Sequence, residues 1–131
     1  MDSALEPEPV RVFLIGMGQK VAGALARYLS GDPRMALVGV ARNPVAAQNQ
    51  LSLTPTDLVL LEWSVLNGSP EDTVRSLRSA RPGLVIIGVA ADSEAYRSAA
   101  PRWGVDGVIS SSRIAEELES MHRSFHTERI Q

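Results

Sequence analysis

Five short apolar runs, each the length of one strand, alternate along this chain with segments that carry helical spacing or helix punctuation. The first run, Val10-Arg11-Val12-Phe13-Leu14-Ile15, is apolar at five of its six positions and is broken sharply by Gly16-Met17-Gly18. A run of this kind suits a strand covered on both faces. Ala36 to Ala41, Leu58 to Leu61, Leu84 to Val89 and Val105 to Ile109 predict four further strands. Between the first two, Val21, Leu25, Tyr28 and Leu29 recur at helical spacing, and Gly31-Asp32-Pro33 closes the segment. Pro44 to Gln50 reads as a short helix. Ser69 is placed to cap a helix opening at Pro70, with Glu71 and Asp72 facing the positive end of its dipole and Val74 and Leu77 turned inward. Asp92 predicts the cap of a helix running through Tyr96 to about Arg102, and a last helix carries Ile114, Leu118, Met121 and Phe125 on one stripe.

Strands separated by helices return to one sheet only through crossovers, so the sheet is expected to be parallel with helices on both faces. The expected architecture is α/β, a flavodoxin-like three-layer sandwich with a five-stranded parallel sheet in the order 2-1-3-4-5. Chemistry in such a sheet gathers at the carboxyl ends of the central strands. Here those ends are Gly16-Met17-Gly18, Glu62, Val89-Ala90 and Ser110-Ser111. With 131 residues the chain has room for one domain, read as 10–126. A disordered leader over 1–9 and a short tail over 127–131 flank it.

Composition removes several function classes. Thirteen basic against fifteen acidic residues give a net charge of −2, which denies this domain the positive field that carries nucleic-acid binding. The chain has no cysteine, so disulfide scaffolds, thiolate metal sites and cysteine nucleophiles are excluded together. Its longest apolar runs fall far short of the roughly 20 residues that span a bilayer. The acidic, proline-bearing opening is unlike a secretory signal, so a cytoplasmic protein without membrane contact is expected.

From Val10 to Phe125 the chain resembles the receiver domains of two-component response regulators. The residues that carry the resemblance are Val-Arg-Val-Phe-Leu-Ile as the first strand, Asp57-Leu58-Val59-Leu60-Leu61-Glu62 as the third, and Trp103-Gly104-Val105-Asp106-Gly107-Val108-Ile109 leading through the fifth. A working receiver takes a phosphoryl group onto an aspartate, using an acidic pair for Mg²⁺, a hydroxyl for the new phosphate and a lysine for its charge. Carried over by strand ends, the acidic pair falls on Gly16 and Met17, the phosphoacceptor on Glu62, the switch hydroxyl on Val89, the switch aromatic on Val108 and the lysine on Ser111. Gly16 and Met17 offer no side-chain oxygen to a hard cation. The resemblance therefore implies a degenerate pseudo-receiver with no metal, no cofactor and no catalytic residue, and with every functional position altered.

Glu62 has three readings: a phosphoacceptor in its own right, a standing imitation of a phosphorylated aspartate, or a strand-end carboxylate satisfied by loop amides or by Lys20, the only lysine. The loop with Gly16, Gly18 and Gly23, together with Arg42 after the second strand, invites a nucleotide reading, because glycine turns let amides approach a pyrophosphate. Val21 stands where the third glycine of that pattern belongs, and Ala41-Arg42 replaces the acidic residue that would hold a ribose. His122 and His126 have metal-ligand spacing without a third ligand and read as solvated helix residues. Trp63 reads as partial core or as a stacking anchor, and Ser110-Ser111-Ser112 as a helix cap.

What remains is protein contact. In receivers the face made by helix 4, strand 5 and helix 5 is the usual contact, which here falls in Asp92 to Arg102 and Arg113 to Phe125. Glu94, Arg97, Arg102, Arg113, Glu116, Glu117 and Glu119 give it both signs of charge, as a self-complementary homodimer contact requires. The expected partner is another protein or a second copy, with DNA reached only through an output domain outside this chain.

Overall fold

The computed structural model describes residues 8–63, 69–91 and 93–120. Residues 1–7 of the leader expected over 1–9, the Asp92 cap, Met121, Phe125, both histidines and the tail over 127–131 lie outside the described residues. Strands β1 (Val10–Ile15), β2 (Met35–Ala41), β3 (Leu58–Glu62), β4 (Val85–Ala90) and β5 (Gly107–Ser110) form one sheet in the order β2-β1-β3-β4-β5. Every pairing is parallel. This is the doubly wound arrangement expected from the alternation of strands and helices.

Each inner strand divides its side chains between two cores, because successive residues point to opposite faces. Phe13, Ile15, Val59, Leu61 and Ile86 pack with α2 (Pro44–Leu53) and α3 (Pro70–Ala80) through Ala47, Leu51, Val74 and Leu77. Val12, Leu14, Leu58, Leu60, Ile87 and Val89 pack with α1 (Gln19–Ser30) through Leu25 and Leu29. Ile114 and Leu118 join that second core from α6, helical over 114–120. β1 and β2 slip register between Val12 and Phe13. Gly39 follows the slip because the Phe13 ring occupies the place of its missing side chain: an added Cβ would lie 2.3 Å from Phe13 Cε2.

Several expectations need correction. Val21 is 39% exposed although it shares helical spacing with the buried Leu25 and Leu29. It sits in the first turn of α1, beyond the carboxyl edge of the sheet, where no strand remains to cover it. The second helix runs three residues past Gln50 to Leu53, and its Leu51 is fully buried. Its start is fixed by Asn43, whose side chain accepts the Ala46 amide at 2.9 Å. β2 begins one residue earlier than expected, β3 ends one residue later, and β4 is shifted one residue along.

The helix expected to reach Arg102 is broken into α4 (Ser93–Arg97) and α5 (Ala100–Trp103). Pro101 has no amide to donate to the Arg97 carbonyl, and its ring clashes with that carbonyl in a continuous helix. β5 opens at Gly107 rather than Val105 because Asp106 intervenes. Its own amide donates to Ile86 O, and its carboxylate accepts the Ile86 amide, both at 2.8 Å. The Ser69 cap is present, its hydroxyl accepting the Asp72 amide. Ser110 caps the 3₁₀ turn Ser111–Arg113 by accepting the Ser112 amide.

Candidate functional site

The carboxyl ends of β1, β3, β4 and β5 form the mouth where a ligand would sit in this fold. Parallel pairing sets Glu62 beside Val89, and Val89 beside Ile109. The strand-end positions named from the sequence therefore meet at one edge of the sheet. Gly16 leaves β1 at φ 82° and donates its amide to Ala41 O at 2.9 Å. That backbone lies in the left-handed region which disfavours any residue with a Cβ. Met17 follows and packs against the core on the α1 side. Neither position presents a carboxylate.

Val89 is wholly buried, and Val108 is buried on the opposite face of the sheet. Ser111 lies in the 3₁₀ turn, where it shares an apolar groove between α1 and α6 with Lys20, Val21, Ala24, Tyr28 and Ile114. Glu62 is half-buried at the end of β3, and its carboxylate is not without partners. A hard divalent ion takes oxygen ligands, carboxylates above all. Gly16 and Met17 do not fit that role, and among the described residues no three His, Asp or Glu side chains gather as a metal-binding group.

The glycine loop has its own geometry. Gly18 is the N-cap of α1 with φ −65° and ψ 158°, an ordinary extended backbone. Nothing lies within 4 Å of a Cβ built on Gly18 or Gly23. A dinucleotide fingerprint uses its last glycine for close helix-to-strand packing; Val21 holds that place and is 39% exposed, and Gly23 makes no close approach either. Arg42 is exposed just beyond β2. The dinucleotide reading gains nothing from this geometry.

Trp63 belongs to the core. It is 8% exposed and lies over Gly88, where an added Cβ would come within 3.0 Å of its ring. Tyr96 from α4 meets it edge-on at 6.1 Å between centroids, and Trp103 from α5 lies tilted against it at 5.0 Å. The cluster fastens the broken α4–α5 segment to the end of β3. Such aromatic pairs contribute about 0.5–1.5 kcal/mol beyond their buried area.

Sequence reasoning missed a stitched surface beside the mouth. Glu117 of α6 accepts the Ser110 amide of edge strand β5 at 2.7 Å, and its other oxygen lies 3.5 Å from Arg97 of α4. Arg113 and Glu116 pair at 3.7 Å along α6. Farther from the mouth, Tyr28 of α1 donates to Glu119 at 3.4 Å. Burial pushes its phenol above the usual tyrosine value, and the negative charge of Glu119 adds to the effect.

The motifs that carried the resemblance work at the opposite edge of the sheet. Asp57 accepts the Arg11 amide at 2.8 Å and its guanidinium at 3.1 and 3.2 Å, tying β1 to the start of β3. That carboxylate raises the Arg11 guanidinium above its usual value, through the hydrogen bond first and its charge second. Gly104 ends α5 in the left-handed conformation at φ 83°. Arg78 of α3 donates to Leu84 O, to Gly104 O at 2.7 Å and to Asp106 at 2.9 Å. These contacts set α3, α5 and the starts of β4 and β5 against one another.

Five parallel strands in this order, with helices on both faces and a mouth ringed by strand ends, make the flavodoxin-like fold that CheY-like receiver domains share. Compared by sequence, the chain matches no family model and no curated protein. Compared by structure, it superposes on the non-phosphorylated receiver domain of the stress response regulator RcsB from Escherichia coli. That match has a TM-score of 0.78 and 15% identity, covering 92% of this chain and 95% of that one. The response regulator domain of Thermotoga maritima CheB matches with a TM-score of 0.72 and 19% identity, over 88% and 95% of the two chains. The structure of the P1 domain of CheA3 in complex with CheY6 from R. sphaeroides matches at 0.71 and 20% identity, over 87% and 97%. Among the described residues no helix is long and apolar enough to cross a membrane.

Proposed function

We propose that the chain is a degenerate receiver, a pseudo-receiver of two-component signalling that has lost the phosphorelay chemistry and acts by protein contact rather than as an enzyme. The observation that carries this reading is the mouth at Gly16. The two positions of the acidic pair are a glycine, at φ 82°, and Met17, so neither supplies the carboxylate oxygen that a hard divalent ion requires. Met17, Val89 and Ser111 stand at the positions where a working receiver has its second metal carboxylate, its switch hydroxyl and its lysine, and Lys20 lies in the groove beside Ser111 instead. Phosphoryl transfer rests on metal and electrostatic placement, so these losses abolish it together. Glu62 keeps a carboxylate, but one methylene longer than an aspartate, and Gly16 and Met17 offer no further oxygen to hold an ion that would orient a donor. Buried Val89 cannot draw toward a charge on Glu62 as a hydroxyl would, which argues against a phospho-mimicking switch.

The contact surface in this reading is α4, β5 and α6, and its setting is the cytoplasm. A protein partner is supported by one of the similar structures, itself a complex of CheY6 with the P1 domain of CheA3. Four of the seven charges that suggested a two-fold contact here pair with one another within the chain, Arg97 with Glu117 and Arg113 with Glu116. The surface therefore suits a partner of different composition better than its own copy. Nucleic acid would be reached only through an output domain outside this chain.

Incubation with a small-molecule phosphodonor and Mg²⁺ tests the reading. The intact mass is expected to stay unchanged, whereas a covalent phosphoryl adduct on Glu62 would overturn it. A nucleotide screen by thermal shift is expected to stay flat, since a ligand at 100 times its dissociation constant adds roughly 2.7 kcal/mol.

A further inference from the structure

The surface of α2 is at odds with its exposure. From Asn43 to Thr56 the sequence holds no Asp, Glu, Lys or Arg, although a chain that is 21% charged would place about three in such a stretch. Ala47 and Leu51 are buried against the sheet, while Val45 is 77% exposed and Leu53 84% exposed. Asn49 is exposed between them. Residues 45, 49 and 53 follow one another at i, i+4 and i+8, so they form a single ridge on the outer surface of the helix. Beside the ridge runs a shallow groove against α3, lined by Gln48, Ser52, Ser76 and Ser79. Arg75 at its rim is ion-paired with Asp72 at 2.7 Å.

We propose that this ridge is a contact between two copies of the chain, α2 crossing α2 antiparallel about a two-fold axis that passes near Asn49. Three features select a second copy as the occupant. Across a two-fold, a charged side chain near the axis meets its own image, and α2 itself carries none; the neighbouring Arg75 is paired with Asp72 and Arg81 is turned onto the Leu51 and Ser52 carbonyls. Asn49 can both donate and accept, so its amide pairs with its image without a mismatch. Val45 and Leu53 stand four residues to either side of Asn49, so the axis lays each Val45 onto the Leu53 of the other copy. The contact is isologous, and the spacing closes on itself.

Ten residues of helix span about 15 Å. The buried area accordingly falls in the class below about 1,200 Å², that of weak, reversible complexes, and the dimer forms at high protein concentration. α2 packs on α3 and β2, at the opposite edge of the sheet from β5. The contact thus goes beyond the proposed partner surface and leaves it accessible.

The absence of cysteine from the sequence makes the test clean, because each introduced thiol is the only one. Helix axes 8–10 Å apart bring facing Cα atoms to about 5 Å at the wider spacing, within the 4.4–6.8 Å of a disulfide. Asn49→Cys is expected to form a covalent dimer under mild oxidation at least tenfold faster than Ser30→Cys, an exposed control at the end of α1. Val45→Cys and Leu53→Cys should each link slowly alone, their like positions lying about 12 Å apart, and quickly when mixed. Asn49→Lys should abolish the concentration-dependent sedimentation of the wild-type chain. The proposal is overturned if Asn49→Cys links no faster than Ser30→Cys, if the two end variants link as fast alone as together, or if the wild type stays monomeric at millimolar concentration.

Discussion

At Gly39 the backbone of β2 passes so close to the Phe13 ring that a methyl group has no place to go. Both partners are held, Phe13 by complete burial and Gly39 by the sheet. Gly39→Ala is therefore expected to cost about 1–3 kcal/mol, the range for overpacking a filled core, read as a lower urea midpoint with unchanged slope. Gly23 presents the opposite case. It lies inside α1 with nothing within 4 Å of a built Cβ, so Gly23→Ala should raise stability by about 0.4–1 kcal/mol through helix propensity and unfolded-state entropy. The sequence does not separate these two glycines, since the difference lies in a ring contributed from 26 positions away. Trp63 is more legible: an aromatic next to a strand end suggested partial core, and the pairing with Tyr96 and Trp103 makes it so.

Elements were legible wherever punctuation is local. Ser69 and Pro70 mark the start of α3 in the sequence and again in space. The break between α4 and α5 was equally available, because Pro101 stands four residues beyond Arg97, yet the helix expected from the Asp92 cap was carried past it to Arg102. The contacts of Arg78 were not legible, since they join α3 to carbonyls and a carboxylate 6 to 28 residues ahead. Arg78→Met keeps much of the stem and removes the donors. It is expected to lower stability by about 1–3 kcal/mol and to speed hydrogen exchange at the Ile86 amide, whose acceptor Asp106 loses its own tie. Lysine should restore only part of the loss, because one ammonium cannot present a planar fork to three acceptors.

For the whole molecule, alternation was enough to predict a parallel sheet, the order 2-1-3-4-5 was the arrangement expected of five such strands, and strand ends were enough to locate the mouth. Spacing could not reveal that the Gly16 backbone turns left-handed, nor that Arg97, Glu117 and the Ser110 amide meet across three elements. On one face of the sheet α1 is joined to α6 partly through Tyr28, whose folded-state phenol titrates above its usual value near 10. Below that value both the folded and unfolded chains hold the proton and this contribution to stability is complete. As pH rises past it the unfolded chain releases its proton first, so stability falls until the folded phenol ionises too. Phenolate absorbance should show the raised midpoint, and Tyr28→Phe should remove that part of the alkaline loss of stability.

Asp57 with Arg11, and Asp106 with Arg78, brace the sandwich where its strands begin. The keel is thus laid at one rim and the berth at the other. Changes at the far rim that spare Met17 and Trp63 could alter what is bound there, and this hull would stay afloat while its cargo changed.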